Sequence, residues 1–134
     1  MMNVPRMSAI SLAEEVVANQ ARRKTGSVEG EVMARLGADL GKLIGTHGFD
    51  VVLARALMLA QRERASLASV RVEPSGTLAG FVADGAESNR DLVAVLSYLF
   101  ELLMKFIGDE LVTRIVHDAS SEMAGSSSKE MNGS

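Results

Sequence analysis

Apolar residues recur at intervals of three and four along most of the chain, and each periodic stretch begins or ends at a residue suited to a helix terminus. The first stretch predicts a helix from about Ser8 to Lys24, with Ile10, Ala13, Val17 and Ala21 on one stripe, Ser11 and Glu14 at capping-box spacing, and Gly26 as its stop. Ser27 then caps a second helix in which Val32, Leu36, Leu40, Leu43 and Ile44 face inward, while Glu31, Arg35 and Asp39 alternate in sign on the outside. Thr46-His47-Gly48 breaks that rhythm, and Phe49 to Leu67 resumes it as a third helix, apolar from Val51 to Ala60 except for Arg55. A helix with so little polar surface belongs near the centre of the fold. Ser88 and Asp91, again at capping-box spacing, open a fourth helix carrying Leu92, Leu96, Leu99, Leu103 and Phe106, with Glu101 and Lys105 paired across one turn. After Gly108, Asp109 and Glu110 favour the start of a fifth helix that buries Val112, Ile115, Val116 and Ala119 and frays near Gly125.

Between the third and fourth helices the period changes from helical to alternating. Val70-Arg71-Val72 and the turn-forming Glu73-Pro74-Ser75-Gly76 predict either a short β-hairpin or a structured loop at 70–82. The fold class is therefore all-α, with about five helices in a compact orthogonal or bundle-like domain. That domain is expected over residues 8–123, between a flexible N-terminus at 1–7 and a Ser- and Gly-rich disordered tail at 124–134.

Composition narrows what such a domain does. Its 134 residues suit one domain. With four Phe, one Tyr, no Trp and eight Met, the core is aliphatic and Met-filled. A net charge of -3 supplies no broad attraction to nucleic acid or to an anionic membrane, so neither is expected as a partner. The longest apolar tract, Leu92 to Ile107, is interrupted by Ser97, Tyr98, Glu101 and Lys105 and falls short of the roughly 20 apolar residues that span a bilayer. The N-terminus lacks the pattern of a secretory signal, which points to a cytoplasmic location. The absence of cysteine excludes disulfides, thiolate zinc sites, iron-sulfur clusters and a Cys nucleophile. Neither a metal nor a cofactor is expected.

One internal echo stands out: Lys42-Leu43-Ile44-Gly45 against Lys105-Phe106-Ile107-Gly108, each closing one helix just before another. A duplicated helical unit and shared helix-end chemistry both account for it. Around the same positions the chain resembles a family of small, poorly characterised all-helical bacterial domains. The resemblance lies in Leu43-Ile-Gly-Thr-His-Gly-Phe-Asp-Val-Val-Leu-Ala-Arg-Ala-Leu-Met-Leu-Ala60 and in Phe106-Ile-Gly-Asp-Glu-Leu-Val-Thr-Arg114, about a fifth of the chain. It implies a helical fold in the company of signalling proteins, and brings no catalytic residues.

A few residues stand out as candidates. Gly37, Gly41 and Gly45 lie along one side of the second helix, each costing roughly 1 kcal/mol relative to Ala, and close packing of another helix is the expected reason. Arg55 has no acid three or four positions away. It either joins a solvated strip with Arg62 and Ser66, pairs with a distant acid such as Asp91 or Glu101, or binds a ligand. Arg114, by contrast, has Glu110 and Asp118 one turn to either side. His117 falls on a polar face with Thr113, Ser120 and Ser121, and His117-Asp118-Ala119-Ser120-Ser121 loosely fits the surroundings of a phosphoacceptor histidine, although the Lys and Gly typical of phosphotransfer domains are missing. An ordinary surface histidine is the simpler reading, and His47, placed in a turn, reads the same way. No nucleophile elbow, zinc-binding helix or buried carboxylate pair is present, so catalysis is not expected. The sequence thus reads as a non-enzymatic module that binds a protein partner in bacterial signal transduction, alone or as a homodimer. The alternatives are a phosphotransfer protein using His117 and a sensor holding a small ligand in an apolar cavity.

Overall fold

The first stripe folds as α1, Val4–Arg23, in a computed structural model that describes residues 4–23, 28–73, 77–81 and 85–120. The helix begins inside the segment expected to be flexible. Pro5 falls in its first turn, where the missing N–H has no intrahelical partner to lose. Ser11 consequently lies in mid-helix and caps nothing. The buried stripe is Ala9, Leu12, Ala13, Val16 and Val17, with Ile10 half-buried at its edge. The stop at Gly26, the cap at Ser27 and the tail at 124–134 lie outside the described residues.

Helix α2, Val28–Ile44, buries Val32, Leu36 and Leu40 as its spacing requires, but Leu43 is exposed and Ile44 half-buried. The break after it is a single residue. Gly45 adopts φ 85°, ψ 151°, and α3, Thr46–Glu63, starts at once, bent by 119° from α2. Thr46, His47 and Gly48 therefore form the first turn of α3 rather than a connecting turn. Helix α3 ends four residues before Leu67, because Arg64 is extended; a 3-10 turn over Ala65–Leu67 comes next. Gln61 anchors this exit by donating its Nε2 hydrogens to the carbonyls of Leu67 at 2.9 Å and Val70 at 3.0 Å.

The 70–82 segment contains a hairpin. Strands β1, Arg71–Glu73, and β2, Thr77–Ala79, pair antiparallel with Val72 opposite Leu78. Such a small hairpin needs support, and it packs against α2 and α3 with Val70 and Leu78 buried. Its turn residues, 74–76, lie outside the described residues. Helix α4, Gly85–Ile107, starts three residues before Ser88, so Ser88 and Asp91 do not form the expected capping box. Gly108, at φ 95°, separates it from α5, residues 109–120.

Helix α4, rather than the expected α3, is the centre of the fold, flanked by α1 and α3, and α3 leaves one face to solvent. Leu92, Val95, Leu96, Leu99, Phe100, Leu103 and Met104 are all buried. Arg64, just after α3, meets Asp91 in the first half of α4, while Val51 near the start of α3 shares a hollow with Phe106 near the end of α4; the two helices are antiparallel. Helix α5 lies alongside α1 in the same direction, with Glu15 facing His117 and Asn19 donating to Ser120. The core is aliphatic as expected, and Met33 and Met104 are built into it.

Candidate functional site

Three places gather chemically capable side chains. The first is the outer face of α3. His47, Val51, Arg55, Met58 and Arg62 succeed one another at intervals of four, four, three and four, so they share a face, and all are exposed. Val51 is 55% exposed and Met58 51%. At one end of the row, Val51, Val52 and Arg55 form an open hollow of about 250 Å³ with Leu102 and Phe106 of α4. Phe106 is 67% exposed, although its spacing puts it on the expected buried stripe. The stripe fails there because the helix ends at Ile107 and the chain turns away at Gly108. Neither Arg55 nor Arg62 forms an ion pair or side-chain hydrogen bond among the described residues. Arg55 thus lies on a solvated strip with Arg62, not against Asp91 or Glu101, and Ser66, expected on the same strip, is half-buried in the turn beyond α3 instead.

The second place is the junction of α3 and α4. The acid considered for Arg55 is taken by Arg64, whose Nε donates to Asp91 Oδ1 at 2.5 Å while Nη2 reaches Glu87. Ser66 donates to the same Asp91 oxygen at 2.7 Å. The hydrogen bond to Asp91 raises the Arg64 pKa above its ordinary value, against the opposing effect of burial. Asp91 is fully buried, and its Oδ2 accepts no hydrogen bond among the described residues. Beside this cluster a surface hollow of about 280 Å³ is lined by Arg64, Arg90, Ser97 and Tyr98 among others, but its polar groups are turned to one another: Tyr98 donates to Glu63, and Ser97 donates to the Val93 carbonyl at 2.7 Å. This network ties the end of α3 to the start of α4. Sequence reasoning misses it because the partners are 27 residues apart and Asp91 has the spacing of a capping residue.

The third place is the groove between α1 and α5. His117 Nδ1 lies 3.2 Å from Glu15 Oε2, with Ser8, Ser11, Leu12 and Thr113 lining about 330 Å³ around them. Ser120, expected on the polar face with His117, is instead fully buried and accepts from Asn19. Ser121 lies outside the described residues. Arg114 is exposed and pairs with neither Glu110 nor Asp118 among the described residues. No group of three metal-ligating side chains occurs among the described residues, and none of their helices is singly long and apolar enough to cross a membrane.

The glycine row serves a looser contact than expected. A Cβ at Gly37 would lie 3.6 Å from the Phe49 ring and one at Gly41 3.8 Å from Thr46 Cγ2, both ordinary contacts with side chains of α3. At Gly45 nothing lies within 4 Å, and the residue serves as the joint between helices. Helix α3 thus packs over this end of α2 through the side chains of Phe49 and Thr46, at Gly37 and Gly41 but not at Gly45.

The chain matches no protein-family model, no curated protein and no solved structure.

Proposed function

We propose that the chain is a non-enzymatic helical interaction module, placed in bacterial signal transduction by its motif resemblance, and that it docks a protein partner on the outer face of α3 and the end of α4. The observation that carries this reading is the exposure of Val51, Met58 and Phe106 on neighbouring surface. Large apolar side chains gathered at a surface favour a partner that removes them from water. A photo-crosslinking residue at Ala54, exposed beside Val51 and Arg55, tests it in the native cell. The expected result is a discrete protein adduct that is absent with the probe at Asp118 and lost with Val51→Ser and Phe106→Ser. Absence of any adduct at position 54 overturns the reading.

A second reading is phosphotransfer through His117, favoured by the Glu15 carboxylate at its Nδ1. A carboxylate there favours the Nδ1–H tautomer, leaving Nε2 as the nucleophilic nitrogen. Incubation with phosphorylated receiver domains tests it. Acid-labile phosphate that disappears with His117→Gln supports this reading, and its absence removes it.

A further inference from the structure

We infer that the occupant of the α3 face is an acidic amphipathic helix of a partner protein, an inference that rests on the docking reading above. The face alternates apolar and cationic groups: Val51, then Arg55, then Met58, then Arg62, all exposed. Among the described residues the two guanidiniums have no carboxylate of their own. Of the acids on the two helices, Glu63 accepts from Tyr98, Glu101 pairs with Lys105 at 3.7 Å, Glu87 and Asp91 are held by Arg64, and Asp50, beside Val51, is half-buried rather than presented on the face. Lys105, next to Phe106, is taken up by Glu101, so among the described residues the free cations of this face are Arg55 and Arg62. A chain of net charge -3 thus presents a locally cationic stripe around exposed apolar side chains.

The shape of the site points the same way. Small-molecule pockets usually occupy roughly 300–1,000 Å³, and the hollow between α3 and α4 is an open one of about 250 Å³. It suits one apolar side chain, with Arg55 at its rim. From Val51 to Arg62 the stripe is about 16 Å long at 1.5 Å per residue, three turns of a partner helix. Such a helix sets an apolar anchor over Phe106 and Val51 and carboxylates against Arg55 and Arg62. A second copy of this chain brings guanidinium against guanidinium on the same face, which opposes self-association there.

The probe is a synthetic amphipathic helix about four turns long, with Leu on one face and Glu flanking it, compared with the same peptide carrying Lys in place of Glu. Binding is read by fluorescence anisotropy at low and high salt. The Glu peptide is expected to bind, to weaken with added salt, and to lose about tenfold in affinity with Arg55→Glu. The double variant Arg55→Glu/Arg62→Glu, checked by its helical spectrum, is expected to prefer the Lys peptide. Equal binding of the two peptides, no binding of the Glu peptide, dimerisation dependent on Val51 and Phe106, or binding to anionic phosphatidylserine vesicles instead would each overturn the inference. An adduct at position 54 without Glu-peptide binding defeats the acidic helix alone, whereas no adduct defeats the docking reading as well.

Discussion

The two glycine corners share a backbone device and differ in where they keep their bulk. At the first, the Gly45 N–H donates to the Gly41 carbonyl at 2.7 Å and the Gly45 carbonyl accepts from Phe49; at the second, Gly108 donates to Met104 at 2.9 Å and accepts from Val112. Both glycines have positive φ, so hydrogen bonds of helical spacing reach the joint from either side while the axis turns. Four and eight residues before the first joint stand Gly41 and Gly37, and four after it stands the large, buried Phe49. Around the second the sizes are reversed: Met104 and Phe100 precede the joint, both buried, and the smaller Val112 comes after it. One device therefore accommodates a bulky residue on either side of the corner. The echo seen in the sequence marks this shared joint, and the glycines upstream of Gly45 make room for the side chains of α3.

The connection between these corners tests whether they depend on one another. Arg64 and Asp91 link the end of α3 to the start of α4. Asp91→Ala is expected to lower the unfolding free energy by about 2–3 kcal/mol, less than the roughly 3–5 kcal/mol of a fully buried pair because Arg64 keeps Glu87 and partial exposure. Urea denaturation monitored by circular dichroism measures it; two separate transitions would show that the corners unfold independently.

If the joints are equivalent, Gly45→Ala and Gly108→Ala should each cost about 1–3 kcal/mol, since both force a side chain into backbone geometry that L-residues avoid. A difference between them well above 1 kcal/mol in thermal unfolding would break the equivalence. Upstream of the first joint the sign reverses. With an ordinary 3.8 Å contact to Thr46, Gly41→Ala should stabilise α2 by about 0.5–1 kcal/mol. A destabilised variant would mean that the corner is packed more tightly than its contacts indicate. The smallest effect belongs to Arg114, exposed on the helix after the second joint. Arg114→Ala should stay within about 0.5 kcal/mol in calorimetry, and a larger loss would reveal a role in holding α5.

The helices are legible because their spacing is local: Val32, Leu36 and Leu40 in α2 and Leu92 to Leu103 in α4 read directly as buried stripes. The joint at Gly45 is harder to place, since Thr46 and His47 break the apolar rhythm just after it while remaining helical. Apolar character alone also cannot show that Leu43 and Phe106 face water, because both sit where a helix ends and the direction of the next helix decides burial. Arg55 and Arg62 are recognisable as a candidate strip from their spacing. Arg64 is not, because its partners Asp91 and Glu87 arrive from another helix.

The pairing of α1 with α4 and α5 also sets an order of events during synthesis. Asn19 and Ser120 are 101 residues apart, yet they share a hydrogen bond. At about 5–20 residues per second, a ribosome needs roughly 5–20 s to make the chain between them. Throughout that interval Ala9, Leu12, Val16 and Val17 have no finished surface to cover them. Folding of this protein therefore finishes only after translation has passed α5, and the nascent first helix is the segment that most needs shelter from aggregation.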